Sequence, residues 1–414
     1  MTAADTTPNT GGERRTPSAF EAAVITDPYP MLKMLQAQGE GVMQEPALGS
    51  VMVTRHDDVD TLLRDHSLSR DPRKGDPEFV AARMRANADE FDPERLSILF
   101  LDPPDHTRLR GLVNRAFTPR AVENMRPRAQ QIADKLFDAV QDSPRWDLMA
   151  AFAAPFPTIV IAEMLGVDPG KQAWFKECSD KFVRTLDPFL SEEGRRAAEA
   201  ARIELDAYFM EVINARRADP KDDLITGLVQ AQEGGDRLTD KELLTQLGLL
   251  LTAGNVTTTD LIGNGVYALL TNPSELKKLQ DDPDLITRAV EEMLRFDSPV
   301  IMTGRTPLEP REVAGCPVHA RQQITPVLAA ANHDPRAYPE PDRFDISRAD
   351  VHHHSFGGGI HFCLGAPLAR LEAQVGIGTL VRRFPKLRLA EGAQPQRRLL
   401  PGFRGFVTLE VETH

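Results

Sequence analysis

The sequence predicts a largely helical protein built around one long helix and one cysteine loop. Three observations carry this expectation. Thr239-Asp240-Lys241-Glu242 is a capping box, in which the threonine and glutamate side chains satisfy each other's backbone N–H groups at a helix start. That helix can run to Thr271-Asn272-Pro273, about 30 residues or ~45 Å at 1.5 Å per residue. Its first half, Leu243 to Thr259, carries no charge, so it must cross the core. Residues 128–270 look mostly helical throughout, with breaks at Ser143-Pro144, Pro155 and Pro157, Asp168-Pro169-Gly170, Asp187-Pro188, Asp219-Pro220 and Gly234-Gly235. Finally, Gly357-Gly358-Gly359 opens a loop that delivers Cys363 to the first turn of a helix, along which Leu364, Leu368, Leu371, Val375 and Leu380 recur at roughly helical spacing.

Composition bounds the function. With 414 residues, 41% hydrophobic and 27% charged, the chain can bury a large core, and its length allows two or three domains. A net charge of −12 argues against a nucleic-acid or anionic-membrane binder. Cys178, Cys316 and Cys363 are too few for a disulfide framework and fit a reducing cytoplasm. Residues 1–18 are polar and rich in Thr, Pro and Gly, and read as a disordered lead without a signal-peptide core. The stretch 243–259 contains Gln, Gly, Asn and several Thr, which makes it a poor membrane span.

In chain order, the pattern predicts a helix over Tyr29–Gln38, a strand-like pair around Gly49–Thr54 and a helix over Asp57–Arg64. Residues 71–100 show no period and read as irregular. Between His106 and Arg128 stand six arginines (108, 110, 115, 120, 126 and 128) against the single acid Glu123. This excess of five charges is either a solvated face or a surface for an anionic partner. His106 and Arg110, at i and i+4, share one helix face. Phe182 to Glu193 reads as a lid between two helices.

Within the long helix, Ala253-Gly254-Asn255-Val256-Thr257-Thr258-Thr259 is poor helix former. Thr257 could bond the Ala253 carbonyl and open a local bulge, or the small residues could serve a helix–helix contact. Further on, Leu285–Phe296 is a helix carrying Glu292-x-x-Arg295, a spacing that suits an ion pair. Val300–Thr306 reads as a strand. Adjacent His352, His353 and His354 cannot easily converge on one ion, so they read as a polar loop. Cys363 itself is either a buried loop cysteine or, with the positive helix end favouring its thiolate, a soft metal ligand or nucleophile.

Spacing separates these readings. Phe356-x-x-Gly359-x-His361-x-Cys363-x-Gly365, completed by Ala369, resembles the haem-binding loop of cytochromes P450, and the likeness extends from about Pro28 to the C-terminus. The resemblance implies a mainly α fold with small β-sheets at one side, residues 19–414 forming a single domain. The long helix would pass over one haem face and the cysteine loop under the other. It implies one thiolate-ligated haem b per chain, with Cys363 as the iron ligand. His106, Arg110, Arg305 and His361 would meet the propionates, and Ala253, Phe356 and Gly365 would lie against the ring. Ala253, Gly254, Thr257 and Thr258 match the family's oxygen-activation motif, which makes Thr257 and Thr258 the catalytic candidates; Val256 stands where the family has an acid. Glu292, Arg295 and Arg343 would form a structural network. The substrate pocket would draw on Ile98, Leu99, Leu249, Thr252, Ala253, Ile301, Thr303 and Phe403, whose character suggests an apolar small or mid-sized molecule.

The implied reaction is insertion of one oxygen atom of O2 into a C–H bond by a cytoplasmic, monomeric enzyme. Electrons would come from NAD(P)H through separate proteins, with a ferredoxin- or flavodoxin-type donor docking near Arg108, Arg115 and Arg120, since the chain has neither a Gly-rich dinucleotide motif nor an iron–sulfur cysteine set. Alternatives are a peroxide-driven haem-thiolate oxygenase, suggested by Val256, and a haem protein that binds ligands without turnover. A zinc site at Cys363 lacks a second cysteine or a spaced histidine pair.

Overall fold

A computed structural model describes residues 26–37, 40–45, 49–77, 95–184, 190–233 and 236–413. The predicted disordered lead, most of the irregular stretch before residue 95 and the middle of the predicted lid lie outside the described residues. No helix among those described is long and apolar enough to cross a membrane.

The capping box forms as predicted: Thr239 accepts from the Glu242 N–H at 3.2 Å, and Glu242 accepts from the Thr239 N–H at 2.8 Å. Behind it the long helix runs unbroken over Asp240–Thr271, 32 residues. It is buried on most sides, packed against helices Pro155–Met164, Ile286–Phe296 and Ala366–Arg383. Close approach requires glycine at the crossings: a Cβ on Gly265 would stand 2.6 Å from the Met293 sulfur. Polar pins fix the angle. Asn264 donates to the Asp297 carbonyl at 3.1 Å and the Arg404 carbonyl at 2.9 Å, tying the helix to two distant segments.

The main core runs from Ile98 to Val411 and includes a stacked run of Phe137, Phe152 and Phe156, with ring centroids 4.1 and 4.9 Å apart. Small sheets lie beside it. Strand Val42–Glu45 pairs antiparallel with Ser50–Val53, as the strand-like pair suggested, and Ser50–Val53 pairs in parallel with Gln323–Pro326. Val51, Val53 and Ile324 are fully buried beneath it. The predicted strand over Val300–Thr306 is not a strand for most of its length. It is an extended segment held by single bridges, Val300 to Phe403 and Arg305 to Ile324, before Thr306–Pro307 pairs with Leu68–Ser69. Neighbouring loop backbone supplies the remaining partners, so no ladder builds up: Ile301 donates to Gly402 and Thr303 to Pro326.

Candidate functional site

The cysteine loop is shaped by its glycines. Gly359 adopts φ +62, and a Cβ there would stand 2.4 Å from the Leu63 carbonyl, so the loop lies directly on the end of helix His56–Arg64. A short 3-10 turn, Gly359–His361, precedes Cys363, and the helix begins at Ala366. Cys363 therefore sits before the first turn and not in it. Its N–H donates to the Phe356 carbonyl at 2.9 Å, and its sulfur accepts from the N–H groups of Gly365 and Ala366. Phe356 is held under Arg370, whose guanidinium carbon is 4.5 Å from the ring centre and which pairs with Glu291 at 2.6 Å.

Cys363 is enclosed by protein yet keeps open surface, so it faces an internal space. Burial pushes its thiol above the ordinary value; the Gly365 N–H, Arg110, the Ala366 N–H and Arg370 pull the other way without prevailing. The expectation that the positive helix end favours a thiolate meets an opposing burial here.

Beside the loop lies a cradle of cationic and N–H-rich groups. The His106 and His361 rings stand 4.3 Å apart, and Arg110 donates to the Phe362 carbonyl at 2.8 Å. The ladder that pairs Ser69 with Thr306 brings Arg70 beside Arg305. Burial lowers Arg305 to about 9, with Arg70 adding to the shift, and lowers Arg70 to about 10. His361 is pushed down to about 3 by burial, then by His106, Arg70 and Arg305. His106 Nε2 is buried without a hydrogen-bond partner among the described residues. The nearby acid, Asp102, is already shared by Lys74 at 2.8 Å, by Ser69 and by the Arg70 N–H. Sequence reasoning missed Arg70, because a two-residue strand has no period to reveal which residue follows it.

The long helix keeps one open stripe. Leu249, Ala253 and Thr257 recur at i+4 and retain surface in mid-helix, as does Thr252, while Leu250, Leu251, Asn255 and Val256 are buried. Nothing lies within 4 Å of a Cβ built on Gly254, which removes the helix–helix contact as its reason. Thr257 donates to the Ala253 carbonyl at 2.8 Å, yet the helix stays α and opens no bulge. Thr258 points elsewhere. It is buried, and its hydroxyl shares a hydrogen bond with Glu372, a fully enclosed carboxyl that burial raises well above the usual carboxylate range.

Of the expected pocket residues, Leu99, Leu249, Thr252, Ala253, Thr303 and Phe403 keep open surface. Ile98 and Ile301 do not. Ile98 packs into the main core with its N–H on Gln246, and Ile301 packs with Leu32, Leu35 and Met52.

Two further expectations need correction. Glu292 and Arg295 form a buried pair at 2.7 Å, and Arg295 donates to the carbonyls of Asn332, Pro341 and Arg343. Arg343 contributes only that carbonyl; its side chain is 55% exposed beside Glu340. Arg348, 14% exposed and 3.4 Å from Glu292, is the arginine that joins the pair. The arginine excess after His106 is also largely offset in space: Arg108 pairs with Asp236 and Glu242, Arg126 with Glu123, and Arg128 with Glu163. Arg115 and Arg120 remain exposed. The three adjacent histidines disperse as expected, His353 to Glu291 and His354 against His56, while His352 offers its carbonyl.

A cysteine sulfur that keeps open surface, a positive cradle beside its loop and an open stripe on the long helix can be compared with known proteins. The family profile described as Cytochrome P450 matches residues 50–413. The chain belongs to the cytochrome P450 family. It is 42% identical over 345 residues to Cytochrome P450 CYP107DY1 of Priestia megaterium, covering 81% of this chain and 83% of that one. Against Cytochrome P450 monooxygenase PikC of Streptomyces venezuelae it is 41% identical over 369 residues, covering 88% and 85%. The solved structure of the polyketide synthase cytochrome P450 PksS from Bacillus subtilis superposes with a TM-score of 0.85 at 36% identity, covering 94% of this P450 and 98% of that chain. As a P450 it is a monooxygenase with one thiolate-ligated haem b per chain. The residues present fit that group. They offer a sulfur with two N–H donors behind it, and a cation-rich cradle with an unpartnered His106 Nε2 where acidic propionates would be received.

Proposed function

We propose that this P450 inserts one oxygen atom of O2 into a C–H bond of a predominantly apolar small or mid-sized molecule, with electrons from NAD(P)H passed through separate redox proteins. Residues 19–414 are read as one domain. Cys363 would be the iron ligand; His106, Arg110, Arg305 and His361 would hold the propionates. The observation that carries the reading is the open stripe Leu249, Ala253 and Thr257 beside the buried Leu250, Leu251, Asn255 and Val256 of the same helix. When bound, the thiolate-ligated haem supplies oxygen activation, because the thiolate pushes electron density that favours O–O cleavage. Turnover under isotope-labelled dioxygen should place one labelled atom in the product. Label taken from peroxide instead would select the peroxide-driven reading, which Val256 in the acid's place favours.

The chain's own groups then handle protons. Thr257 gives its hydroxyl hydrogen to Ala253, which leaves its lone pairs to accept from a donor on the open side. One residue on, Thr258 meets Glu372, whose carboxyl burial raises well above the usual range. Thr257→Ala should lower product formed per NAD(P)H about tenfold or more and raise peroxide release, as losing a proton-transfer partner commonly does. Full coupling in that variant would remove Thr257 from the route.

Arg115 and Arg120 are exposed, and we read the face that carries them as the one an acidic electron donor meets. Exposed charges are screened over ~10 Å at 0.1 M salt. Reduction by the native carrier should therefore slow with rising salt and with Arg115→Glu or Arg120→Glu, at unchanged substrate affinity. Arg108→Gln should matter less to this step than Arg120→Glu, since Arg108 is held by Asp236 and Glu242. Salt-independent reduction would argue for docking elsewhere.

A further inference from the structure

We propose that Arg70 reads the substrate: it anchors a carboxylate at one end of an otherwise apolar molecule, so that this P450 selects apolar monocarboxylic acids. The proposal rests on the haem reading above, because it counts the charge of the group held there.

Arg70 is placed by the short ladder of Leu68–Ser69 on Thr306–Pro307. From there its guanidinium bridges two walls. It donates to the Thr303 hydroxyl on one side and to the Leu99 carbonyl, at 3.2 Å, on the other, with the Phe100 ring centre 5.9 Å away. Leu99 and Phe100 are 37% and 36% exposed, high for large apolar side chains, and Thr303 is partly open. Like Cys363, Arg70 is enclosed by protein but keeps some open surface.

Its partners are all neutral. No carboxylate lies within ion-pair distance of its side chain among the described residues; Asp102, which attracts it, takes only its backbone N–H and is occupied by Lys74. A guanidinium has five N–H donors in a planar fork, and the two hydrogen bonds made here leave others unused. Such a fork binds carboxylate better than it binds a hydroxyl and a carbonyl.

The charge count points the same way. A ferric porphyrin with a thiolate ligand is neutral at its core, so the bound haem brings the negative charge of its two propionates. Three guanidiniums converge on this region: Arg70, Arg110 and Arg305. Arg110 is directed at the Phe362 carbonyl, and Arg305 at the carbonyls of Gly304 and Leu63. One positive charge is left over, and of the three only Arg70 touches the open residues Leu99 and Thr303. An anionic substrate end neutralises it.

The test uses the holoenzyme. The reduced, CO-bound spectrum is recorded first; a protein that takes up no haem overturns the reading of the site and, with it, the proposal that rests on it. Straight-chain and alicyclic carboxylic acids are then titrated against their methyl esters near neutral pH, by calorimetry and by the haem absorption shift. At least one acid should bind about tenfold or more tightly than its ester, the scale of a charge-assisted hydrogen bond. Arg70→Met should bring the pair within about threefold, and Arg70→Lys should keep part of the preference, at unchanged haem content. If Arg70→Met does not fold, Arg70→Gln takes its place with the same expectation. The proposal is overturned if no acid is preferred over its ester, or if the preference survives in Arg70→Met. Loss of haem from Arg70→Met with the preference intact also overturns it and makes Arg70 a propionate holder.

Discussion

Cys363→His, loaded with haem and reduced under CO, should lose the absorption signature of a thiolate-ligated complex and all monooxygenase activity. Cys178→Ser and Cys316→Ser should keep both. The contrast follows from surroundings. Cys178 is buried against Glu204, which with burial raises its thiol to about 11, and Cys316 sits at the start of the short strand Cys316–Val318. Neither has the open inner surface of Cys363, nor the paired N–H groups behind the sulfur. Burial raises that thiol despite those N–H groups, and because a metal takes cysteine as its thiolate, metal binding should release a proton. A Cys363 variant that retained the thiolate spectrum would falsify the ligand assignment.

Breaking the Glu292–Arg295 pair should have the next largest effect, on folding more than on chemistry. Both side chains are essentially without solvent contact, at 1% and 0% exposed. Removing one partner leaves the other charge buried and unpaired, which costs ~3–5 kcal/mol. Glu292→Ala also deprives the Asp345 N–H of its acceptor at 3.0 Å and leaves Arg348 without its carboxylate. The expected outcome is little soluble haem-loaded protein, with any that survives unfolding at much lower denaturant. Arg343→Ala should stay within about 0.5 kcal/mol of the parent, as exposed substitutions usually do. A large loss in Arg343→Ala together with a silent Arg348→Ala would restore the sequence-based assignment.

That reversal shows what one dimension hides. The capping box at Thr239, the long helix behind it and the back-bond of Thr257 were legible because every partner lies within four residues. The strand-like pair near Gly49 was legible because only a short stretch of chain separates its two strands, whereas its parallel neighbour 270 residues away was not legible. Arg343 and Arg348 are five residues apart, and only the path of the loop decides which one turns inward. The arginine excess after His106 looked unbalanced because Asp236, Glu242 and Glu163 arrive from other segments. Val300–Thr306 had the composition of a strand but found backbone partners only singly. Glu372 and Arg70 gave no local signal, since their significance comes from Thr258 in one case and from Thr303 with Leu99 in the other.

The parallel pairing of Ser50–Val53 with Gln323–Pro326 sets a schedule for synthesis. At roughly 5–20 residues per second, the ribosome needs about 14–54 s to travel from Val53 to Gln323. Through that interval Val51 and Val53, fully buried in the finished protein, have no sheet partner on that side. The glycine loop that rests on Leu63 emerges later still, close to the end of the chain. Haem capture therefore waits for a nearly complete polypeptide. The interval before it is when the nascent chain most needs chaperone cover, and a shortage of haem would lengthen that exposure while leaving the long helix free to form.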